Sequence, residues 1–138
     1  MRILWVKMGG LWPPTSGGRT RSLQIISELS RRHAVTVVTT HAEGDDPEGL
    51  VEHLSGCERV VSFPYHVPKR GSAAFPITVA RSWLSREPVD LWKWRMPAVR
   101  ECANRLVDAG RVDVCVAGGN IFALFALWCF GGFFLRHR

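Results

Sequence analysis

The sequence predicts an α/β protein built as a single Rossmann-like open parallel sheet with flanking helices, and three observations carry that prediction. A short apolar run, Ile3-Leu4-Trp5-Val6, leads through a glycine-rich loop and an amphipathic helical pattern into a second apolar run, Val35-Thr36-Val37-Val38-Thr39. Strand, loop, helix and strand at that spacing make a βαβ unit, which joins parallel strands by a crossover. Downstream, helical patterns keep alternating with short β-branched runs, which describes an open sheet with helices packed on it. The 138 residues supply one hydrophobic core and are too few for two ordinary domains.

Each element has its own signal. The first helical pattern runs from Arg19 to Arg32: Leu23, Ile26 and Leu29 recur at helical spacing with Ile25 beside them, and the charged residues fall largely on the other face. Ser16 is a natural N-cap, since its hydroxyl can accept from a free N–H of the first turn. Arg31, Arg32 and His33 close the helix, where positive charge suits the dipole. Ala42 to Pro47 reads as an acidic loop. Glu48 to Leu54 follows as a short helix with Leu50, Val51 and Leu54 inward and Gly56 as its stop.

Arg59 to Phe63 reads as a third strand, and Tyr65 to Phe75, with Pro68 and Gly71, as an irregular connection. Ile77, Ala80 and Leu84 support a helix over 77–85. Pro97 opens a clearer one, with Val99, Cys102, Ala103, Leu106 and Val107 as its apolar stripe and Gly110 as its stop. Val112 to Ala117 is a further strand.

The C-terminus breaks the pattern. No charged residue occurs from Val114 to Leu135, and Arg136-His137-Arg138 follows. That length and flank suit a membrane span, but Gly118-Gly119-Asn120 interrupts the run. Ile121 to Leu135 alone is the length of a buried core helix or an interfacial segment. The expected organisation is a domain over 1–117 and an apolar tail over 118–138, a truncated or aberrant core element.

The formal charge of +6 suits nucleic acid, an anionic membrane surface or phosphorylated small molecules. The basic residues are scattered and do not interleave with aromatics, so no nucleic-acid partner is expected. Cys57, Cys102, Cys115 and Cys129 form no Cys-x-x-Cys pair, which argues against a zinc site and a disulfide framework and for a reducing cytoplasm. The opening apolar run stops after four residues, as a first strand does and a signal peptide does not.

Chemistry concentrates in the first loop. A Walker A motif needs Gly-Lys-Ser/Thr, whereas Gly18 is followed by Arg19 and Thr20. A dinucleotide fingerprint needs an acid near the end of the second strand, where this chain has Thr39-Thr40-His41. Both are excluded. What remains is Pro13-Pro14-Thr15-Ser16-Gly17-Gly18-Arg19, ending at a helix start whose free N–H groups and dipole favour an anion.

Gly17 and Gly18 let a ligand approach the backbone, or else make a tight turn that packs helix on strand. Arg19 and Arg21 neutralise phosphate or are simply solvated. His41 lies where α/β sheets place ligands, or is a surface histidine. Trp12 and the pair Trp92 and Trp94 stack on a sugar or lipid, or are buried.

The ordered combination of Met1-Arg2-Ile3-Leu4-Trp5-Val6, the Pro-x-Ser-Gly-Gly loop and His33-Ala34-Val35-Thr36-Val37-Val38-Thr39 resembles the N-terminal domain of GT-B fold glycosyltransferases of the family-4 type. The match is best over residues 1–41 and extends to about Val116. The resemblance implies retaining transfer of a sugar from a nucleotide-sugar donor to a glycan or lipid-linked acceptor. It implies no cofactor and no essential metal, and a cytoplasmic location that can be peripheral to the inner face of the membrane. Ser16, Gly17, Gly18, Arg19 and His41 become the candidate substrate-binding residues.

In that family a C-terminal domain with a Glu-x7-Glu pattern carries the nucleotide-sugar site, and this chain stops before any such domain. It therefore reads as the acceptor-side half, inactive alone. The residues leave open a non-catalytic nucleotide- or phosphate-binding module, and a small membrane-anchored interaction protein that uses the tail.

Overall fold

The computed structural model describes residues 1–66, 74–85 and 96–118. In chain order the elements are β1 (Arg2–Lys7), α1 (Gly17–Ser30), β2 (Ala34–His41), α2 (Pro47–His53), β3 (Arg59–Pro64), α3 (Ala74–Ser85), α4 (Pro97–Asp108) and β4 (Val114–Ala117). The four strands form one sheet in the order β3-β2-β1-β4, and every neighbouring pair is parallel. The Rossmann-like α/β class read from the sequence is the observed one.

Strand alternation divides the core in two. Ile3 and Trp5 of β1 and Val35 and Val37 of β2 face Leu23 and Ile26 of α1, with Leu50 of α2 and Leu54 just beyond it. Leu4, Val6 and Val38 face the opposite way, onto Val99 and Ala103 of α4. The register Ile3↔Val35 and Leu4↔Thr36 keeps each set on its own face, and a slip of one residue would exchange the two. Both faces are covered, so β1 and β2 are near-continuous apolar runs without strict alternation.

The caps follow the sequence signals. Ser16 Oγ accepts from Arg19 N–H at 3.4 Å, and Asp46 accepts from Gly49 N–H at 2.9 Å at the start of α2. Pro97 occupies the first turn of α4. Gly110 follows that helix at φ 64°, the left-handed conformation that commonly ends a helix.

Several expectations need correction. The first helix begins at Gly17 and ends at Ser30, so the two glycines lie inside its first turn. Val51 is half exposed because it sits about 100° round the helix from Leu50, whereas Leu54, four residues on, returns to the same face. Ala74 and Phe75, expected in an irregular connection, belong to α3. Ile77 and Leu84 of that helix are exposed, and none of its residues joins either buried cluster among the described residues. No helix among the described residues is long and apolar enough to cross a membrane. Trp92, Trp94 and the tail from Gly119 onward lie outside the described residues.

Candidate functional site

The strand order reverses at β1. From β1 the chain moves one way to β2 and β3, and it returns to the other side of β1 as β4. In open α/β sheets ligands bind outside the carboxyl ends of the strands at such a switch point. Here the point is flanked by Lys7 at the end of β1 and by Ala117 and Gly118 at the end of β4, where Gly118 N–H donates to Val6 O at 2.8 Å. A Cβ on Gly118 would lie 3.4 Å from Lys7 Cδ and 3.2 Å from the buried Trp5 Nε1, so the two strand ends approach closely.

The loop after β1 is fixed from beneath. Lys7 Nζ donates to Gly18 O at 2.8 Å and to Ser22 Oγ at 2.6 Å, tying the end of β1 to the first turns of α1. Burial, and then the charge of Arg19, hold the Lys7 ammonium below the usual lysine range. Gly9 N–H donates to Thr40 Oγ1 of β2 at 2.9 Å, and a cis peptide joins Trp12 to Pro13.

Arg19 is neither solvated nor left open. Its guanidinium donates to Pro13 O and Gly9 O, both at 3.1 Å, and forms an ion pair with Asp45 at 3.1 Å. Both side chains are largely buried, at 16% and 11% exposure. Asp45 in turn accepts from Ala42 N–H at 2.9 Å. The pair therefore fastens the loop after β1 to the loop after β2. The loop after β3 joins them electrostatically: burial first, then the Asp45 carboxylate, raise the Tyr65 phenol, and Arg19 opposes them.

Gly17 and Gly18 stand differently. Both lie in the first helical turn, neither has a positive φ, and an added Cβ at either would meet nothing within 4 Å. The packing alternative, a tight turn pressed between helix and strand, therefore does not explain them. The backbone freedom that glycine supplies is used at Gly10, where φ is 78° and a Cβ would stand 2.7 Å from Arg19 Nη2 and 2.8 Å from Asp45 Oδ2.

Ser16, Gly17, Gly18 and Arg19 are thus contiguous at the switch point, with Ser16 caught as the cap. His41 stands apart at the end of β2, where its Nδ1 and Ser62 Oγ of β3 are 2.7 Å apart and its carbonyl accepts from Tyr65 N–H at 3.0 Å. Arg21 is exposed on α1. Trp12 turns away from the loop tip onto His53, with ring centroids 4.7 Å apart and planes tilted by 32°. A groove of about 600 Å³ runs beside this contact, lined by Trp12, Pro14, Thr20, Leu23, Gln24 and His53.

Among the described residues no cluster of His, Cys, Asp and Glu is arranged to hold a metal ion. Sequence reading missed Lys7, Asp45 and Tyr65. For Lys7 a signal existed, a lone cation closing an apolar first strand. The Asp45 partnership spans 26 residues and has no local signature.

No family model matches this chain, and no curated protein and no solved structure shows a significant match to it.

Proposed function

We propose that this chain is the N-terminal, acceptor-side domain of a GT-B glycosyltransferase of the family-4 type, acting on a nucleotide-sugar donor and a glycan or lipid-linked acceptor. One observation supports the reading above others. At the β1/β4 switch point the chain spends two glycines, Gly17 and Gly18, in a helical turn where the fold makes no demand for them. Glycine weakens a helix by about 0.5–1 kcal/mol relative to alanine. A ligand that must reach the backbone N–H groups supplies the missing reason, and the helix start favours a negatively charged one.

In this reading Ser16 and Lys7 hold the turn in place, and Arg19 braces the loop instead of touching phosphate. His41 stands apart from this turn, at the end of β2 against Ser62. A single Rossmann-like domain forms one wall of a cleft, so transfer requires a second domain and this chain alone does not turn over.

The test takes the sequence encoded downstream, where a second Rossmann-like domain with Glu-x7-Glu is expected. Transfer of labelled sugar from a nucleotide-sugar panel to glycan and lipid acceptors is measured for the joined protein and for this chain alone. Transfer by the joined protein only, abolished by Gly18→Val with the melting temperature unchanged, is the expected result. Robust turnover by this chain alone contradicts the two-domain reading. A downstream sequence without a donor-binding domain removes the transferase reading altogether.

A further inference from the structure

On the face of the sheet that α4 covers, the edge strand β3 is left half open. Val38 and Thr40 of β2 are 0% and 1% exposed there, but their partners on β3, Val61 and Phe63, are only half-buried. Between these two side chains and the flank of α4 runs a groove of about 440 Å³. Ala98, Cys102, Leu106 and Ala109 form its far wall, recurring at three- and four-residue spacing along the helix. At about 1.5 Å per residue that wall is roughly 16 Å long, the length of a helix of about 11 residues. Parallel sheets are covered on both faces, so an open groove of helix length beside an edge strand is room for a further layer.

The charge around the groove is uneven. Arg105 on its rim is paired with Glu101, one turn away. Arg59 begins β3 and Arg111 follows α4, so both stand at the same end. Neither forms an ion pair among the described residues.

We propose that the groove between β3 and α4 is a docking site for an acidic amphipathic helix of a partner protein. Its apolar face would lie on Val61, Phe63 and Leu106, with carboxylates toward Arg59 and Arg111. The chain's own apolar segments do not match, since neither α3 nor residues 119–138 contain an acid. The same segments of a second copy would bring Arg81, or Arg136 and Arg138, against these arginines, which opposes self-docking. The inference rests on this groove and is independent of the transferase reading.

The probe is a fluorescent helical peptide of about 14 residues, with leucines at i, i+3, i+4 and i+7 and glutamates beside them. A counterpart carries lysine in place of every glutamate. Anisotropy with the full chain should show the acidic peptide binding about tenfold or more tighter, a preference that added salt reduces. Arg59→Glu combined with Arg111→Glu should reverse the preference, and because both side chains are exposed its thermal melt should match the parent. Bound peptide should also shield the half-buried Cys102 from a maleimide reagent, read by mass mapping. Equal binding of the two peptides, or a preference that the arginine variant leaves unchanged, overturns the proposal. So does a chain that binds neither and elutes as a dimer, since a second copy then fills the groove. A Cys102 that reacts only after unfolding, with no peptide present, overturns it too, because the chain's own residues then cover the site.

Discussion

At Gly10 a methyl group would meet the Arg19–Asp45 pair at 2.7 and 2.8 Å, on a backbone at φ 78°. Gly10→Ala combines a strained conformation with a clash against an ion pair and should cost about 2–4 kcal/mol in urea unfolding. Gly17→Ala meets nothing within 4 Å and should leave stability unchanged or raise it by up to about 1 kcal/mol. A Gly17→Ala variant destabilised as strongly as Gly10→Ala would show that the fold, not a ligand, requires glycine in the first turn. The sequence made the Ser16 cap legible because a cap is a local event. It did not show which glycines the fold needs, since that depends on Arg19 and Asp45 meeting across the loop.

Among the elements, the Arg19–Asp45 pair joins the first turn of α1 to the loop after β2, and the Arg2–Asp113 pair joins β1 to the residue that precedes β4. Removing one partner of a largely buried pair leaves the other charge uncompensated, so Asp45→Ala should cost about 3 kcal/mol, and adding Arg19→Met should recover part of it. No recovery in the double variant would mean that the Ala42 N–H contact, not the charge pair, dominates.

Arg2–Asp113 is exposed, and its hydrogen bonds to Arg2 hold the Asp113 carboxyl below its ordinary value of 3.8. A depressed acid contributes stability that is present above the unfolded value and is lost as pH falls through the folded one. Asp113→Asn should therefore be slightly less stable than the parent at neutral pH. The gap should close below pH 3.8 as the parent's own carboxyl takes up its proton. A gap that stays constant through that acid range would dissociate it from the carboxylate.

The helices α1, α2 and α4 were legible because their apolar spacing is periodic. Val51 was misplaced because adjacency in sequence is not adjacency on a helix face. The spacing of Ile77, Ala80 and Leu84 made α3 legible as a helix but not the exposure of its apolar stripe, because periodicity reports amphipathicity without saying what covers the apolar side.

At the scale of the molecule, the strand order determines where the function is sought. Sequence alternation showed that the sheet is parallel, but only the pairing of β1 with both β2 and β4 locates the switch point. That point coincides with the Ser16-Gly17-Gly18 turn, the Lys7 brace and the close approach of Gly118. On the proposed function, this switch point receives a phosphate-bearing ligand through the backbone of Gly17 and Gly18. The most direct measurement is an amide chemical-shift titration of the labelled full chain with uridine diphosphate, with inorganic pyrophosphate as the simpler probe. Saturable shifts are expected, in the millimolar range that suits one wall of a cleft, centred on the amides of Gly17, Gly18 and Arg19 and absent in Gly18→Val. Shifts confined to the groove beside Trp12 and His53, or no shifts at the first turn of α1, would contradict that reading.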